Sequence, residues 1–213
     1  APLSDWPRGA KVGTASPRRV ALLAHHYPHL CAVLLRGNLD TRMAKILDGT
    51  LDGAILAASG LLRMGETHRI TQWLDPTSWI PAPGQGALAI ETRSDVLIDP
   101  RIASLDDWDA RAAVEAERML AKKLGGGCTA PLGALAFFEG SEIHLYGCYP
   151  QKEGLRIRKA QGPRDAALGV GGGFMAETTN HPTPFVLSLS KDLVQKTTAS
   201  TSSARTGVAS SGY

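Results

Sequence analysis

The chain is poor in cysteine, and its few cysteines are not arranged for cross-linking or metal binding. Cys31, Cys128 and Cys148 are the only three, and no two of them form a CxxC pair. An odd number without paired spacing argues against a disulfide framework and against a structural zinc site. We therefore expect a protein of a reducing compartment that binds no metal.

The chain also lacks a long apolar run and a concentration of charge of one sign. No run reaches the roughly 18 residues of a membrane helix, and the start APLSDWPRGAK has neither the charged nor the apolar region of a signal peptide. The formal net charge is only +3, with basic and acidic residues interleaved, which argues against a nucleic-acid partner. We predict a cytoplasmic protein with no membrane and no nucleic-acid partner. We also expect it to be a monomer.

Residues 1–80 alternate short apolar strands with amphipathic helices, which is typical of an α/β domain with a parallel or mixed sheet. The predicted elements are strand Lys11–Ala15, helix Pro17–His26, strand Ala32–Leu35, helix Leu39–Leu47, strand Ala54–Ala58 and a helical turn from Gly60.

Residues 81–104 read as a separate segment. The stretch PAPGQG at residues 81–86 is rich in turn residues and predicts a loop, and Ala87–Thr92 beyond it predicts a strand. Ser104 stands three residues before Asp107, a pattern similar to a capping box, which predicts the start of a helix.

Residues 105–177 predict a small α+β domain. The helix that opens it ends at Gly125–Gly127, and its predicted apolar face consists of Ala110, Ala113, Val114, Leu120, Ala121 and Leu124. Three strands and a helical start follow at Ala134–Phe138, Ile143–Cys148, Leu155–Ala160 and Pro163–Leu168. Residues 178–213 become rich in Ser and Thr and predict disorder apart from a strand at Phe185–Leu189.

Two motifs predict anion-binding helix starts. In VGTASPRR a strand ends, Ser16 can cap a helix, Pro17 suits its first turn, and Arg18 and Arg19 add charge. Helix N-termini bind carboxylates or phosphates through unpaired backbone N–H groups. Two solvated surface arginines remain the alternative interpretation of this motif.

The second motif, LRGNLDTR, repeats the arrangement: Asn38 can cap a helix, Gly37 permits close backbone approach, and Arg36 and Arg42 flank the turn. Helix starts at equivalent strand ends of one sheet face the same crevice. Arg63 follows the third strand and either joins this group or is an ordinary surface arginine.

These arginines favour a ligand with several carboxylates, because guanidinium groups bind carboxylates bidentately. Nucleotide binding has little support, since the chain has no GxxxxGK[ST] motif and no GxGxxG motif after a strand.

The glycine-rich stretch LGGGCTAPLG makes Cys128 a candidate nucleophile or attachment point. The alternative is a small buried hydrophobe, which is what we predict for Cys31 and Cys148 in their apolar strand runs. The cluster of His25, His26 and His29 predicts cationic residues at a helix end, because neighbouring side chains diverge by about 100° and cannot share one metal ion.

Taken together, the strings VGTASPRR, LRGNLDTR, ILAASGLLRMG, PAPGQGALAIE and AERMLAKKLGGGCTAPLG, in this order and spacing, resemble the hydroxymethylbilane synthase (porphobilinogen deaminase) family. The resemblance runs from about residue 1 to about residue 177. It implies a partial α/β domain similar to periplasmic binding proteins, followed by a small α+β domain.

The resemblance also implies an activity: the joining of four porphobilinogen molecules head to tail into hydroxymethylbilane, with release of ammonia, in tetrapyrrole biosynthesis. It implies a dipyrromethane cofactor attached through a thioether to Cys128. The residues that match cofactor-binding and substrate-binding positions of the family are Ser16, Arg18, Arg19, Arg36, Arg42 and Arg63.

One expected feature is missing. The catalytic aspartate of the family belongs to an HSxKD-like motif in an N-terminal domain, and the chain contains no such motif. We therefore expect an N-terminally truncated chain in which residues 81–104 are the crossover to the absent domain and which lacks a catalytic residue of its own. A non-catalytic anion-binding remnant and a substrate-binding protein of the periplasmic type are the alternatives.

Overall fold

A computed structural model describes residues 1–125 and 130–164 of the chain. Two compact units make up this part. The first contains Ala1–Pro81 with the described residues of Gly125–Gly133 and Cys148–Ile157, and the second contains Ala82–Leu124, Ala134–Gly147 and the described residues from Arg158 onward. None of the helices in these ranges combines the length and the apolar character needed to cross a membrane.

The first unit is built on a small parallel sheet. Its elements are β1 (Lys11–Thr14), α1 (Pro17–His26), β2 (Cys31–Leu34), α2 (Leu39–Leu47), β3 (Gly53–Ala54) and α3 (Ala58–Arg63), with 3-10 turns at Leu3–Asp5 and Thr67–Arg69. The strand order is β2-β1-β3, and β1 is parallel to both neighbours. The carboxyl ends of all three strands therefore meet at one edge, where the three helices begin.

Apolar side chains on β1, α1 and the segment after β3 form the core of this unit. Leu3, Val12, Leu23 and Ile55 are buried there, and Trp6, Tyr27, Leu30, Leu74 and Trp79 pack against them. Gly13 is required in the centre of β1, because a Cβ atom there would lie 2.6 Å from Leu35 Cδ2 and 2.7 Å from Leu51 Cδ1. Any side chain at this position would force the neighbouring leucines apart.

The second unit contains α4 (Pro100–Ala103) and the long helix α5 (Trp108–Lys123). Asp107 caps α5, because its carboxylate accepts a hydrogen bond of 3.0 Å from the Ala110 N–H. The buried stripe of the helix consists of Ala112, Ala113, Ala116, Glu117 and Leu120. After Lys123 the helix ends at Leu124, and Gly125 follows with a φ of 64°, a common way for a helix to stop.

A second sheet follows in the order β4-β5-β6, formed by β4 (Gly133–Glu139), β5 (Glu142–Gln151) and β6 (Gly154–Pro163). Only two residues separate consecutive strands, and connections this short join antiparallel neighbours. Residues 133–138 of β4 are all buried. The mixed α/β character that the sequence predicts is therefore confirmed, with one parallel and one separate antiparallel sheet.

Several predicted elements agree closely with the structure. Both α1 and α2 have the predicted bounds, and Ser16 and Asn38 cap them as expected. The loop at residues 81–86 and the three strands after residue 132 are also confirmed. These elements carry strong local signals, which is why their prediction succeeds.

The predicted strand Ala87–Thr92 is wrong, because no strand is present there. Leu88 is 93% exposed and Leu97, further along the same segment, is 100% exposed. A strand exists only where a neighbour accepts its backbone hydrogen bonds, and the described residues offer this segment none. The predicted strand Ala54–Ala58 is also too long, because β3 ends at Ala54 and Ala58 already begins α3.

Three smaller predictions need correction. Ser104 does not cap α5; it follows the last residue of α4, and Asp107 is the cap. Cys31 is exposed rather than buried, because β2 is an edge strand covered on only part of its surface. The predicted helical start at Pro163 begins one residue later, because Pro163 ends β6 and Arg164 has 3-10 conformation. Residues 165–168 and the predicted tail at 178–213, with its strand Phe185–Leu189, lie outside the described residues.

Candidate functional site

The first predicted anion site lies where β1 passes into α1. The Ser16 side chain accepts a hydrogen bond of 3.4 Å from the Arg19 N–H, and the Thr14 hydroxyl accepts one of 3.3 Å from the Ser16 N–H. Pro17 occupies the first turn, where a missing N–H costs nothing. Local sequence therefore fixes the direction in which Arg18 and Arg19 leave the helix.

Arg18 is a buried cation held by the protein itself. Its side chain is 8% exposed, and its Nε donates a hydrogen bond of 2.9 Å to the carbonyl oxygen of Ile80. Burial is the main cause that lowers its pKa, the charge of Arg19 adds to the effect, and Cys148 opposes it. The Nε–H of Arg18 therefore fixes the backbone at Ile80.

Arg19 reaches across the same edge of the sheet. One of its terminal nitrogens donates a hydrogen bond of 2.7 Å to the carbonyl oxygen of Ile55, which follows β3. Burial is the main cause that lowers the pKa of the Arg19 guanidinium, and the charge of Arg42 lowers it further. The side chain of Arg19 thus links the end of β3 to the start of α1 and lies within electrostatic reach of α2.

The helix start at the second predicted anion site, that of α2, is also capped. The Asn38 side chain accepts hydrogen bonds from the N–H of Thr41 at 2.8 Å and from its hydroxyl at 2.7 Å. Gly37 has a φ of 112°, a conformation that favours glycine. Arg42 donates from Nε to the carbonyl oxygen of Gly37 at 2.8 Å, so its charge stays beside the helix start.

The structure brings Arg18, Arg19 and Arg42 together, and we call these three residues the arginine cluster. Burial is the main cause that lowers the pKa values of Arg18 and Arg19, and repulsion by a neighbouring guanidinium group adds to it. In the described part of the chain no carboxylate forms an ion pair with Arg19 or Arg42. Arg19 and Arg42, held close together without a carboxylate partner among the described residues, favour an anionic ligand.

Arg36 and Arg63 are placed differently. Both are exposed, and within the described ranges neither side chain forms a hydrogen bond or an ion pair. Arg36 follows β2 directly, at the carboxyl edge of the sheet, whereas Arg63 is the last residue of α3. No contact in this part of the structure joins either residue to the arginine cluster, so their binding role stays a prediction.

The three cysteines differ. Cys128, the predicted attachment point, lies outside the described residues. Cys148 is buried beside Arg18, and burial raises the pKa of its thiol to about 11, although Arg18 and the Gly133 N–H act in the opposite direction. Its thiol is therefore protonated and unreactive at neutral pH. Cys31 is exposed, but it begins β2 and so lies at the sheet edge opposite the arginine cluster.

Sequence reasoning missed one buried ionisable residue, Glu117. It lies on the inner stripe of α5, is 1% exposed, and accepts hydrogen bonds from the backbone N–H of Gly84 and, at 2.7 Å, of Ala136. Burial raises the pKa of its carboxyl to about 7, against the effect of both amides and of Arg118. The available signal was its spacing, since Glu117 falls on the same helix face as Ala113 and Leu120.

The predicted histidine cluster is part of an aromatic group. His26 stacks on Trp79 with ring centroids 5.6 Å apart, and its Nε2 lies 3.1 Å from the carbonyl oxygen of Ser78. Tyr27 also stacks on Trp79, at 6.1 Å. These contacts give His26 a packing role at the end of α1.

Comparison with known proteins identifies the class. Residues 1–103 match a family model described as "Porphobilinogen deaminase, dipyromethane cofactor binding domain", and residues 111–171 match one described as "Porphobilinogen deaminase, C-terminal domain". The chain belongs to the porphobilinogen deaminase family.

Individual relatives carry the same name. Porphobilinogen deaminase of Nocardia farcinica is 47% identical over 168 residues, which cover 74% of this chain and 49% of the relative. That of Roseiflexus castenholzii is 45% identical over 157 residues, covering 73% of this chain and 52% of the relative. That of Paraburkholderia phytofirmans is 47% identical over 160 residues, covering 75% and 47%. The chain thus spans about half the length of the curated relatives it matches.

Proposed function

We propose that this chain supplies the cofactor-binding and C-terminal parts of a hydroxymethylbilane synthase. In this reaction four porphobilinogen molecules are joined head to tail into hydroxymethylbilane, and ammonia is released at each step. The observation that carries the proposal is the arginine cluster at the carboxyl edge of the parallel sheet, in a chain of the porphobilinogen deaminase family.

The donor set of this edge fits a dipyrromethane cofactor. Each pyrrole ring of such a cofactor carries two carboxylates, and burying them requires fixed cationic donors. Arg19 and Arg42 offer guanidinium groups without an acidic partner among the described residues, and the capped starts of α1 and α2 add backbone N–H groups beside them. When bound, the cofactor supplies the pyrrole carbon to which substrate units are added.

Each residue of the proposed site has a distinct task. Cys128 holds the cofactor through a thioether, while Ser16 fixes the start of α1 and Arg18 anchors the edge of the site at Ile80. Arg19 and Arg42 bind carboxylates of the cofactor. Arg36 also binds a carboxylate of the cofactor, and Arg63 binds a carboxylate of the incoming substrate; both side chains are exposed in the same unit.

The reaction also needs a carboxylate to stabilise a developing cation and to move protons. We propose that an aspartate outside these 213 residues completes the site. We infer further that the α/β unit is one lobe of a fold similar to periplasmic binding proteins, which is supported by its parallel strands and by the helix starts at their carboxyl ends. A monomeric state, a cytoplasmic location and the absence of membrane and nucleic-acid partners stay predictions.

Cofactor attachment is tested on the purified chain incubated with porphobilinogen, by intact-mass measurement and a pyrrole colour reaction. We expect a mass increase of two pyrrole units that disappears in Cys128→Ser and persists in Cys31→Ser, the matched control with an exposed thiol at the opposite sheet edge. An increase that persists in Cys128→Ser would contradict the proposed attachment point.

Carboxylate binding is tested separately by titrating porphobilinogen into the chain calorimetrically. Arg19→Gln and Arg42→Gln should each weaken binding by about ten-fold or more, because a charge-assisted hydrogen bond is lost. Arg101→Gln is the control, since that arginine is exposed and paired with Asp99. Binding without any mass increase would favour the non-catalytic anion-binding alternative, and neither binding nor modification would remove both functions.

A further inference from the structure

Gly133, the first residue of β4, lies in a position with no room for a side chain. A Cβ atom there would lie 2.7 Å from Cys148 Sγ and 2.9 Å from the carbonyl oxygens of both Ile80 and Pro81. Contacts this short force the neighbouring atoms to move, so the position requires glycine. We call Arg18, Ile80, Pro81 and Cys148 the glycine seat; these four residues and Gly133 all belong to the first unit.

The glycine seat consists of buried groups that hold one another in place. Ile80 and Cys148 are both 0% exposed. Arg18 Nε donates a hydrogen bond of 2.9 Å to the carbonyl oxygen of Ile80, which is one of the atoms that a Cβ at residue 133 would meet. The Gly133 N–H donates to the thiol of Cys148. The backbone at Gly133 is therefore fixed between a carbonyl that Arg18 holds and a buried thiol.

Gly133 also ends a short stretch of chain that contains the predicted attachment point. It follows Cys128 by five residues, and five residues of fully extended chain span at most about 18 Å. Arg18, which holds the glycine seat, is followed directly by Arg19, whose guanidinium donates to the carbonyl oxygen of Ile55. The start of α1 thus holds Gly133 through one arginine and offers the next arginine to a ligand. Fixing Gly133 here limits how far Cys128 can lie from the arginine cluster.

We propose that Gly133 is a positioning residue: by occupying the glycine seat, it sets the distance between the thiol of Cys128 and the arginine cluster. The proposal rests on the function proposed above, in which Cys128 carries the cofactor and Arg19 and Arg42 bind its carboxylates. A group attached through one sulfur atom meets those guanidinium groups only if its attachment point lies at the right distance. Misplacement by about 1 Å can cost roughly a hundred-fold in rate, so the glycine seat governs attachment and not the strength of carboxylate binding.

The distance between two native cysteines tests this role without any cofactor. Cys31 is exposed, whereas Cys148 is buried and burial raises the pKa of its thiol, so a nitroxide reagent should label Cys31 and Cys128 alone. Double electron–electron resonance then measures the distribution of distances between the two labels in the whole chain. In Gly133→Ala this distribution should shift and broaden, because the added methyl group displaces the start of β4 from the glycine seat. A distribution equal to that of the wild type would overturn the proposal, and so would a chain that takes up only one label.

Two further variants separate the glycine seat from a general disturbance. Gly60→Ala adds the same methyl group in the same unit, where the nearest atom, Leu39 Cδ2, would lie 3.8 Å away in an ordinary contact. It should leave the distribution unchanged, and a change equal to that in Gly133→Ala would refute the role. Arg18→Lys keeps the positive charge but loses the Nε–H that holds Ile80, so it should broaden the distribution as well. It replaces Gly133→Ala as the decisive variant if circular dichroism shows that Gly133→Ala does not fold.

The rate of cofactor attachment distinguishes this role from the function on which it rests. In Gly133→Ala the mass increase on incubation with porphobilinogen should appear roughly ten-fold more slowly than in the wild type, while the calorimetric affinity for porphobilinogen stays unchanged. Equal losses of rate and affinity would mean a general loss of the site and would count against positioning. A wild type that gains no mass would remove the proposed cofactor attachment, and the label distances would still decide whether Gly133 positions Cys128.

Discussion

The two units each contain a buried ionisable side chain, and the two side chains carry charges of opposite sign. In the α/β unit the buried group is a cation, Arg18, whose Nε donates to the Ile80 carbonyl. In the second unit it is an anion, Glu117, whose oxygens accept from two backbone N–H groups. An arginine stays charged at every physiological pH, whereas a carboxyl in an apolar site can take up a proton. One buried charge is thus balanced by a backbone acceptor and the other by two backbone donors.

The comparison extends to what surrounds each charge. Arg18 has other cations as neighbours, with Arg19 beside it and Arg42 acting on Arg19. Glu117 has mainly apolar neighbours on its helix face, such as Ala113 and Leu120. Arg19 and Arg42, which have no acidic partner among the described residues, suit ligand binding, while a solitary carboxyl in an apolar stripe suits an internal contact.

The largest effect is expected where the contact of Arg18 with Ile80 is removed. Arg18→Ala should lower the free energy of unfolding by about 3 kcal/mol, because the Ile80 carbonyl loses its partner and a buried side chain leaves a void. Urea unfolding followed by circular dichroism measures this. Arg36→Ala, at an exposed arginine, should change stability by less than about 0.5 kcal/mol, and equal losses in both variants would show that Arg18 is not a buried anchor.

The buried carboxyl of Glu117 should appear as a pH-dependent difference in stability. The folded-state pKa of Glu117 is about 7, above its ordinary value of 4.5, so the folded chain binds more protons in this window and stability falls as pH rises through it. The wild type should lose up to about 3 kcal/mol relative to Glu117→Gln between pH 4.5 and pH 7. Unfolding free energies of both chains at several pH values measure the difference.

Surface carboxyls act in the opposite sense and must be separated from this effect. Hydrogen bonds from Thr50 and Arg69 lower the pKa values of Asp48 and Glu66 respectively, so those groups lose stabilising contacts as the pH falls. Glu115→Gln leaves them unchanged and provides the matched baseline. A difference between wild type and Glu117→Gln that grows with falling pH in favour of the mutant would contradict the assigned direction.

A smaller effect tests which residue starts α5. Asp107→Ala should cost about 1 kcal/mol, because the Ala110 N–H loses the acceptor that caps the helix. Ser104→Ala should cost much less, since Ser104 follows α4 and its hydroxyl donates to the exposed Arg101 carbonyl. Thermal unfolding of the two variants decides between them, and a larger loss for Ser104→Ala would restore the capping box at that residue.

The smallest effect is expected at the exposed ion pair between Arg93 and Asp95. Both side chains are more than half exposed, and surface pairs of this kind contribute little because water and salt screen them. Arg93→Ala should therefore leave the melting temperature almost unchanged. A substantial loss would mean that residues 87–98 are more firmly packed than their exposure indicates.

The segments that could be predicted from the sequence are those whose signals are local. The bounds of α1 and α2 follow from a capping residue, a proline or glycine beside it and an apolar stripe, all within a few residues. The pairing of each helix start with arginines is visible in the same way. The prediction failed at Ala87–Thr92. The sequence of this segment has the apolar pattern of a strand, but no strand among the described residues lies beside it to pair with it.

The sequence by itself determined the family, the helix starts and the presence of several arginines around them, because these depend on residue identity and short spacing. Only the tertiary structure decided that Arg19 lies beside Arg42, that Cys31 is exposed while Cys148 is buried, and that Glu117 faces two backbone amides. The physical reason is that burial, electrostatic coupling and hydrogen-bond partners are properties of distant segments brought together, and no local pattern specifies them.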